Sequence, residues 1–157
     1  MPARACAAMM MAALMTALMP ASAALAGEPG EVVRQFYVPM VSEQSPHMRH
    51  LFVDQALANL EASDAMANNG GEMGCFDFGL SIDAQDYDEN TVASTLEFEE
   101  KVDGPVAEVT ASFLLFDGQP DSARRIVWSL INRGDGWRIT DIASPASGWR
   151  LSQFDCN

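Results

Sequence analysis

The chain has 157 residues, 22 of them acidic and 9 basic, for a formal net charge of −13. That balance argues against nucleic acid or an anionic membrane surface as partner, because both would repel it. With 48% apolar and 20% charged residues, the composition is that of a folded chain, and the length suits one domain.

The first segment reads as an address. Arg4 supplies a positive start, Ala5 to Met19 is an apolar run, and Pro20 ends it. Ala24-Leu25-Ala26 offers small residues at −3 and −1, so residues 1–26 are expected to be a signal peptide cut after Ala26; Ala21-Ser22-Ala23 is a second candidate site. The alternative is a retained membrane anchor, for which the run is short against a span of about 20 residues. Cys6 has no apolar stretch before it and is not a lipoprotein cysteine. Residues 27–157 are then a single periplasmic or secreted domain, with no membrane insertion after cleavage and an even more acidic balance once Arg4 is gone. Its two cysteines, Cys75 and Cys156, predict a disulfide, with two free thiols as the alternative.

From Gly30 to Val41, Val32, Val33, Phe36, Tyr37, Met40 and Val41 recur as apolar pairs every four residues, which predicts an amphipathic helix that Pro39 kinks or ends. Ser45-Pro46 has the form of an N-cap followed by a first-turn proline. Met48, Leu51, Phe52, Ala56 and Leu60 continue at helical spacing until Asn68-Asn69-Gly70-Gly71 stops the chain. Residues 72–90 are rich in Gly and Asp and predict a long loop with a short strand or turn. From Thr91 the period changes to two: Val92, Ser94, Leu96 and Phe98 alternate with Ala93, Thr95, Glu97 and Glu99, which predicts a strand with one wet face. Asp103-Gly104 signals a hairpin. Val106–Phe116 is apolar on both faces and belongs inside a sheet. Gly118-Gln119-Pro120-Asp121 turns the chain into a strand over Arg125–Asn132. Gly134-Asp135-Gly136 turns it again into Trp137–Ile142. The order implies an α+β domain, N-terminal helices packed on one face of a curved antiparallel sheet.

The stretch Gly134-Asp135-Gly136-Trp137-Arg138-Ile139-Thr140-Asp141-Ile142 resembles the last hairpin of the nuclear transport factor 2-like, or cystatin-like cone, domains. The Phe36-Tyr37 helix, the Ser81-Ile82-Asp83-Ala84-Gln85-Asp86 segment and Trp149-Arg150-Leu151 resemble one bacterial branch of them, the family catalogued as domain of unknown function 3828. The resemblance implies a cone-like fold and an exported location, and it assigns no reaction. Related cone domains include isomerases and dehydratases with Asp, His or Tyr in the cavity, alongside many binding modules.

Several residue sets have the chemistry of a site. Asp86, Asp88, Asn90 and Glu97 have the spacing of a calcium loop, against which stand Thr91 in place of the turn glycine and Glu97 in an alternating strand. His47, His50 and Asp54 would share a helical face able to hold a metal ion, although His-x-x-His is not the zincin spacing and Glu43 lies before Pro46. For acid–base work in a cone cavity, Tyr37, His50, Asp83, Asp86 and Asp141 are eligible. No serine nucleophile motif, phosphate loop or dinucleotide fingerprint occurs. Arg133-Gly134-Asp135 sits between two predicted strands and reads as a turn. Trp128, Trp137 and Trp149 have the character of pocket walls or of core.

The leading expectation is a non-enzymatic binding module without a cofactor, taking a small ligand or a protein at its cavity or sheet face, with Tyr37, His50, Trp128 and Asp141 lining the pocket. Two alternatives stand beside it. One is an acidic inhibitor or immunity-type protein steered by charge to a basic periplasmic enzyme. The other is a small isomerase or hydratase using a cavity Asp or His.

Overall fold

The computed structural model of the protein describes residues 28–70 and 74–156. The expected signal peptide and its cut lie outside the described residues. Three α-helices, α1 (Pro29–Arg34), α2 (Asp54–Asn68) and α3 (Glu89–Thr95), precede a five-stranded sheet. Its strands are β1 (Glu97–Asp103), β2 (Val106–Leu114), β3 (Ala123–Asn132), β4 (Trp137–Ser144) and the short β5 (Trp149–Arg150). They pair antiparallel in chain order, β1-β2-β3-β4-β5. The α+β class, the meander and the interior position of β2 are as the sequence predicts. No helix among the described residues is long and apolar enough to cross a membrane.

Alternation along the strands makes the core. Ala107, Val109 and Ala111 of β2 stand opposite Leu130, Trp128 and Ile126 of β3, and all six are buried. The β1–β2 hairpin closes where Asp103 pairs with Val106, with Gly104 at φ +56°, a conformation that costs glycine nothing. Between β3 and β4 the register slips at Ser129/Leu130, so that Trp128 faces Ile142 while Leu130 faces Ile139. This bulge keeps Ile139 and Ile142, three residues apart on β4, both in the core. β1 forms an outer edge of the sheet and is exposed along nearly all its length, carrying Glu97, Glu99, Glu100, Lys101 and Asp103.

Three predicted elements differ from the structure. The first helix ends at Arg34, well before Val41, and Tyr37 pairs with Met40 across a turn containing Pro39. Pro39 has no N–H to give and restricts Val38 before it, so the helical pattern cannot continue. The second helix is broken in two. Pro46–Leu51 is a 3-10 helix, after which Phe52 pairs with Ile139 and the Val53 N–H donates to the Ile139 carbonyl at 2.9 Å. Pairing with β4 thus replaces two helical positions before α2 begins.

The third difference lies at Glu89–Thr95, which is helical where alternation predicts a strand. Val92 and Leu96 are four apart as well as two-periodic, and capping decides between the readings. The Asp88 carboxylate accepts from the Thr91 N–H and hydroxyl, both at 2.7 Å. Thr95 then donates to the Thr91 carbonyl and accepts from the Leu114 N–H at 2.9 Å, which locks the helix end to β2. The strand begins only at Glu97.

Cys75 and Cys156, 81 residues apart in sequence, form a disulfide. It staples the C-terminal segment to the loop after α2. The Asn59 amide of α2 reinforces the staple, donating to the carbonyls of Leu151 at 2.7 Å and Phe154 at 3.0 Å.

Candidate functional site

The layer between helices and sheet is filled by the chain's own aromatic side chains. Phe36 stacks on Trp128 with ring centroids 4.9 Å apart and meets Phe52 edge-on at 5.8 Å. Tyr37 lies beside them, its hydroxyl donating to the Ser81 carbonyl at 2.6 Å and accepting from Trp128 Nε1 at 3.3 Å. Burial pushes the Tyr37 phenol far above its usual range. The Trp128 hydrogen bond opposes that shift, and the negative charge of Glu43 adds to it. Among the described residues no buried side-chain nitrogen or oxygen lacks a hydrogen bond. Trp137 is core as well, whereas Trp149 is half-buried.

The four residues expected around one pocket therefore occupy three places. Tyr37 and Trp128 are bonded to each other in the core. His50 is exposed on the 3-10 helix, its Nδ1 2.8 Å from the His47 carbonyl oxygen. Asp141 is buried where β4 meets the chain after β5. Its carboxylate accepts from Arg150 at 2.7 Å and from the Ser152 hydroxyl and N–H at 2.8 and 3.0 Å.

The remaining candidates do not converge either, and His47 and Asp86 are exposed. His47 and Asp54 do not share a helical face, because the break at Phe52 separates them, and Asp54 is paired with Arg133 at 2.7 Å. Asp88 caps α3, Asn90 lies inside that helix and Glu97 lies on β1, so the calcium spacing is divided among a cap, a helix and a strand. Among the described residues no group of three His, Cys, Asp or Glu side chains has metal-binding geometry. None of Tyr37, His50, Asp83, Asp86 and Asp141 is hydrogen-bonded to another of the five. Arg133-Gly134-Asp135 falls in the β3–β4 turn, as expected of it.

Asp83, singled out as an acid–base candidate, is instead the centre of a knot. Its carboxylate accepts from Ser144 Oγ at 2.7 Å, from Trp149 Nε1 at 2.6 Å and from Ser147 Oγ. Its carbonyl accepts from Arg124 Nε at 3.2 Å. The backbone sits at φ +52°, a left-handed conformation that Asp tolerates better than most residues. The Ser81–Asp86 segment thus fastens the β4–β5 corner.

The residue that sequence reasoning passed over is Glu43. The sequence places it before Pro46, outside the predicted helix, and assigns it no role, yet it is 1% exposed. Its Oε1 accepts from the Leu80 N–H at 2.8 Å and its Oε2 from the Ser81 N–H at 3.4 Å. Arg49 holds the chain that carries it, donating to the backbone carbonyls of Glu43 and Gln44 at 2.8 Å each and to the Asp64 carboxylate at 2.8 Å. Among the described residues the Glu43 carboxylate takes part in no ion pair, since Arg49 pairs with Asp64. It lies on the wall of a cleft of about 240 Å³. Met40, Val41 and Ile82 give that cleft apolar surface, and Gln44, Gln85 and Tyr87 give it polar surface. The Tyr87 phenol is raised, first by burial and then by the charges of Glu89 and Glu43. Among the described residues only the Leu80–Ser81 turn brings donors to the Glu43 carboxylate, and no local pattern announces a contact across that distance in sequence.

No protein-family model matches the chain, and no curated protein matches it. Its fold is similar to that of a chain in the crystal structure of the type VI native effector–immunity complex Tae3–Tai3 from Ralstonia pickettii. The two share 22% identity at a TM-score of 0.51, over 77% of this chain and 95% of that one, a likeness of fold.

Proposed function

We propose that this chain is an exported immunity-type protein, without catalytic activity of its own, that binds and neutralises a basic protein partner. The observation that carries the reading is the likeness of fold to a chain of an effector–immunity complex, which extends over 95% of that chain. The filled aromatic layer supports it, because a small ligand would have to displace the hydrogen-bonded Tyr37 and Trp128 pair, whereas a protein needs only the surface. The net charge of −13 supports a cationic partner, which it would attract from a distance. The Cys75–Cys156 disulfide and the expected signal peptide support an oxidising compartment outside the cytoplasm. Membership of the nuclear transport factor 2-like domains belongs to the same proposal, supported by the Gly134–Gly136 turn that feeds β4.

An effector and its antidote must be inherited together, so the partner is to be sought among the products of adjoining reading frames. Each is exported to the periplasm of a test host with and without this chain. Growth arrest relieved by co-expression, together with a purified complex that weakens as salt is raised, is the expected result. If no adjoining product arrests growth, or if arrest persists beside the folded chain, the reading fails.

A further inference from the structure

We infer that the open end of the β1–β2 hairpin is the surface on which the basic protein partner docks, laying lysine or arginine side chains across Val102 and Val106 toward Asp103 and Glu108. That the occupant is a protein rests on the function proposed above; that it is cationic and partly apolar stands on the surface itself. Val102 is 54% exposed and Val106 48%. Val38 and Met66, the other two large apolar side chains so exposed among the described residues, lie apart, one beside Pro39 and one in the last turn of α2. Val102 and Val106 instead line a single cleft of about 430 Å³. Exposed apolar side chains gathered at one concave place, with a polar rim, have the anatomy of an interface. Alternation puts Val106 and Glu108 on the opposite face of β2 from buried Ala107 and Val109, and so away from the packed core.

Charge decides what fits there. Asp103 stands directly opposite Val106 in the β1–β2 register and Glu108 opposite Lys101, so these four side chains share one face of neighbouring strands. All four are exposed. Lys101 is the one cation among the described residues that line the cleft, and its ammonium is paired with Glu99 at 3.6 Å. Arg138, two strands beyond Val106, is itself paired with Asp135 at 3.1 Å. Asp103 and Glu108 take part in no ion pair among the described residues. An occupant therefore meets apolar surface beside negative charge that nothing neutralises. Lysine and arginine match both, because their methylene stems pack on apolar groups while the charged head stays with the carboxylate. A purely apolar occupant would strip water from two carboxylates and return nothing. The surface is also preformed. The Asn132 N–H donates to the Pro105 carbonyl at 2.7 Å and ties the hairpin end to β3, and the Thr140 hydroxyl in the cleft lining donates to the Ser129 carbonyl at 3.1 Å. A receiving surface that is already fixed loses little freedom on binding.

The first test titrates acetyl-tetraarginine amide into the native chain and maps backbone amide shifts by NMR. Saturable shifts centred on residues 101–108 are expected. Shifts centred on another acidic segment, or none, overturn the inference without reliance on any variant. Asp103→Asn with Glu108→Gln should abolish the shifts, whereas Asp117→Asn with Asp121→Asn, which removes the same charge from exposed positions between β2 and β3, should leave them. Equal loss in the two variants would mean general attraction and would also overturn it. Once a protein partner is in hand, the Asp103/Glu108 variant should raise its Kd at least tenfold, and the Asp117/Asp121 variant less than twofold. Val102→Thr with Val106→Thr, which keeps the branched shape, should raise it at least threefold. Urea midpoints near the native value are expected of all three variants, since every altered side chain is exposed. Sedimentation of the chain alone reads the rival occupant: a dimer abolished by the valine variant would assign the surface to a second copy and refute docking of the partner there. If the probe maps to residues 101–108 and no protein partner emerges, the proposed function falls and the cationic surface stands. If a partner protects cells and its Kd ignores the changes at the hairpin, the docking surface alone falls.

Discussion

Raising the pH should dissolve the fold through one hydroxyl. Tyr37 is 2% exposed, and its phenol donates to the Ser81 carbonyl, so the phenolate would be both desolvated and stripped of that bond. Its folded-state pKa is raised far above the ordinary value, while in the unfolded chain it ionises near 10. The stability is therefore fully present below pH 10 and is lost as pH rises, because the unfolded state releases the proton first. Each unit above 10 costs about 1.4 kcal/mol, which gives a loss of about 2.7 kcal/mol between pH 8 and pH 12. That is a large share of a typical stability of about 5–15 kcal/mol. Urea unfolding followed by tryptophan fluorescence at intervals of half a pH unit would measure it. The background is small, since the sequence holds a single lysine, exposed Lys101, and only one other tyrosine, half-buried Tyr87. Tyr37→Phe should remove most of this pH dependence. It should also lower stability at pH 8 by about 2–4 kcal/mol, because the Ser81 carbonyl and the Trp128 N–H both lose a buried partner. Equal losses in the native chain and Tyr37→Phe across pH 8–12, or phenolate absorbance from both tyrosines before unfolding, would refute the reasoning.

Three further outcomes are expected. Replacing Cys75 and Cys156 with serine opens a loop of 81 residues and should cost up to about 4.5 kcal/mol in the chain-entropy model, lowering Tm by about 15 °C; calorimetry checks it, and a change under about 1 kcal/mol would mean that the unfolded chain is not what the bridge constrains. Asp83→Ala should cost about 2–4 kcal/mol by releasing Ser144, Ser147 and Trp149, while Asp83→Asn, which keeps one acceptor and tolerates positive φ, should cost roughly half as much; urea midpoints and the Trp149 indole proton report both. Asp88 has its carboxyl pKa lowered by the Thr91 hydroxyl and N–H, so its stabilisation is present above the unfolded value and fades as pH falls through the folded one; Asp88→Ala should speed amide exchange across Glu89–Thr95, and unchanged exchange at Thr91 and Val92 would remove the cap from the account.

Much of the sheet is legible in the residues because each strand is bounded by turn chemistry. Gly104, Gly118 and the Gly134–Gly136 pair lie where the meander reverses, and the interior of β2 announces itself by its doubly apolar run. The helices are less legible, for a physical reason visible at Phe52 and Val53. Their periodicity is helical, but a single pairing with Ile139 of β4 outweighs two helical hydrogen bonds, and that pairing spans most of the chain. Val92–Thr95 fails differently, while Glu97–Glu99 is strand as expected: the apolar residues fit both periods, and the Asp88 cap tips the balance. The disulfide follows from an even cysteine count, whereas Glu43 and the knot at Asp83 do not. Both depend on donors brought from distant segments, Leu80 and Ser81 to one, Ser144 and Trp149 to the other.

The acidic outer edge of the sheet has a consequence for the molecule in a crowded compartment. Among the described residues β1 pairs with β2 alone, so its other rim has no strand partner there. A second copy docking there would bring Glu97, Glu99, Glu100 and Asp103 against the same four carboxylates, with one Lys101 from each chain to offset them. Like charges on facing strands oppose such stacking. The chain can therefore accumulate to high local concentration without pairing β1 to β1 into dimers, and neutralising those four side chains would remove that guard while leaving the core intact.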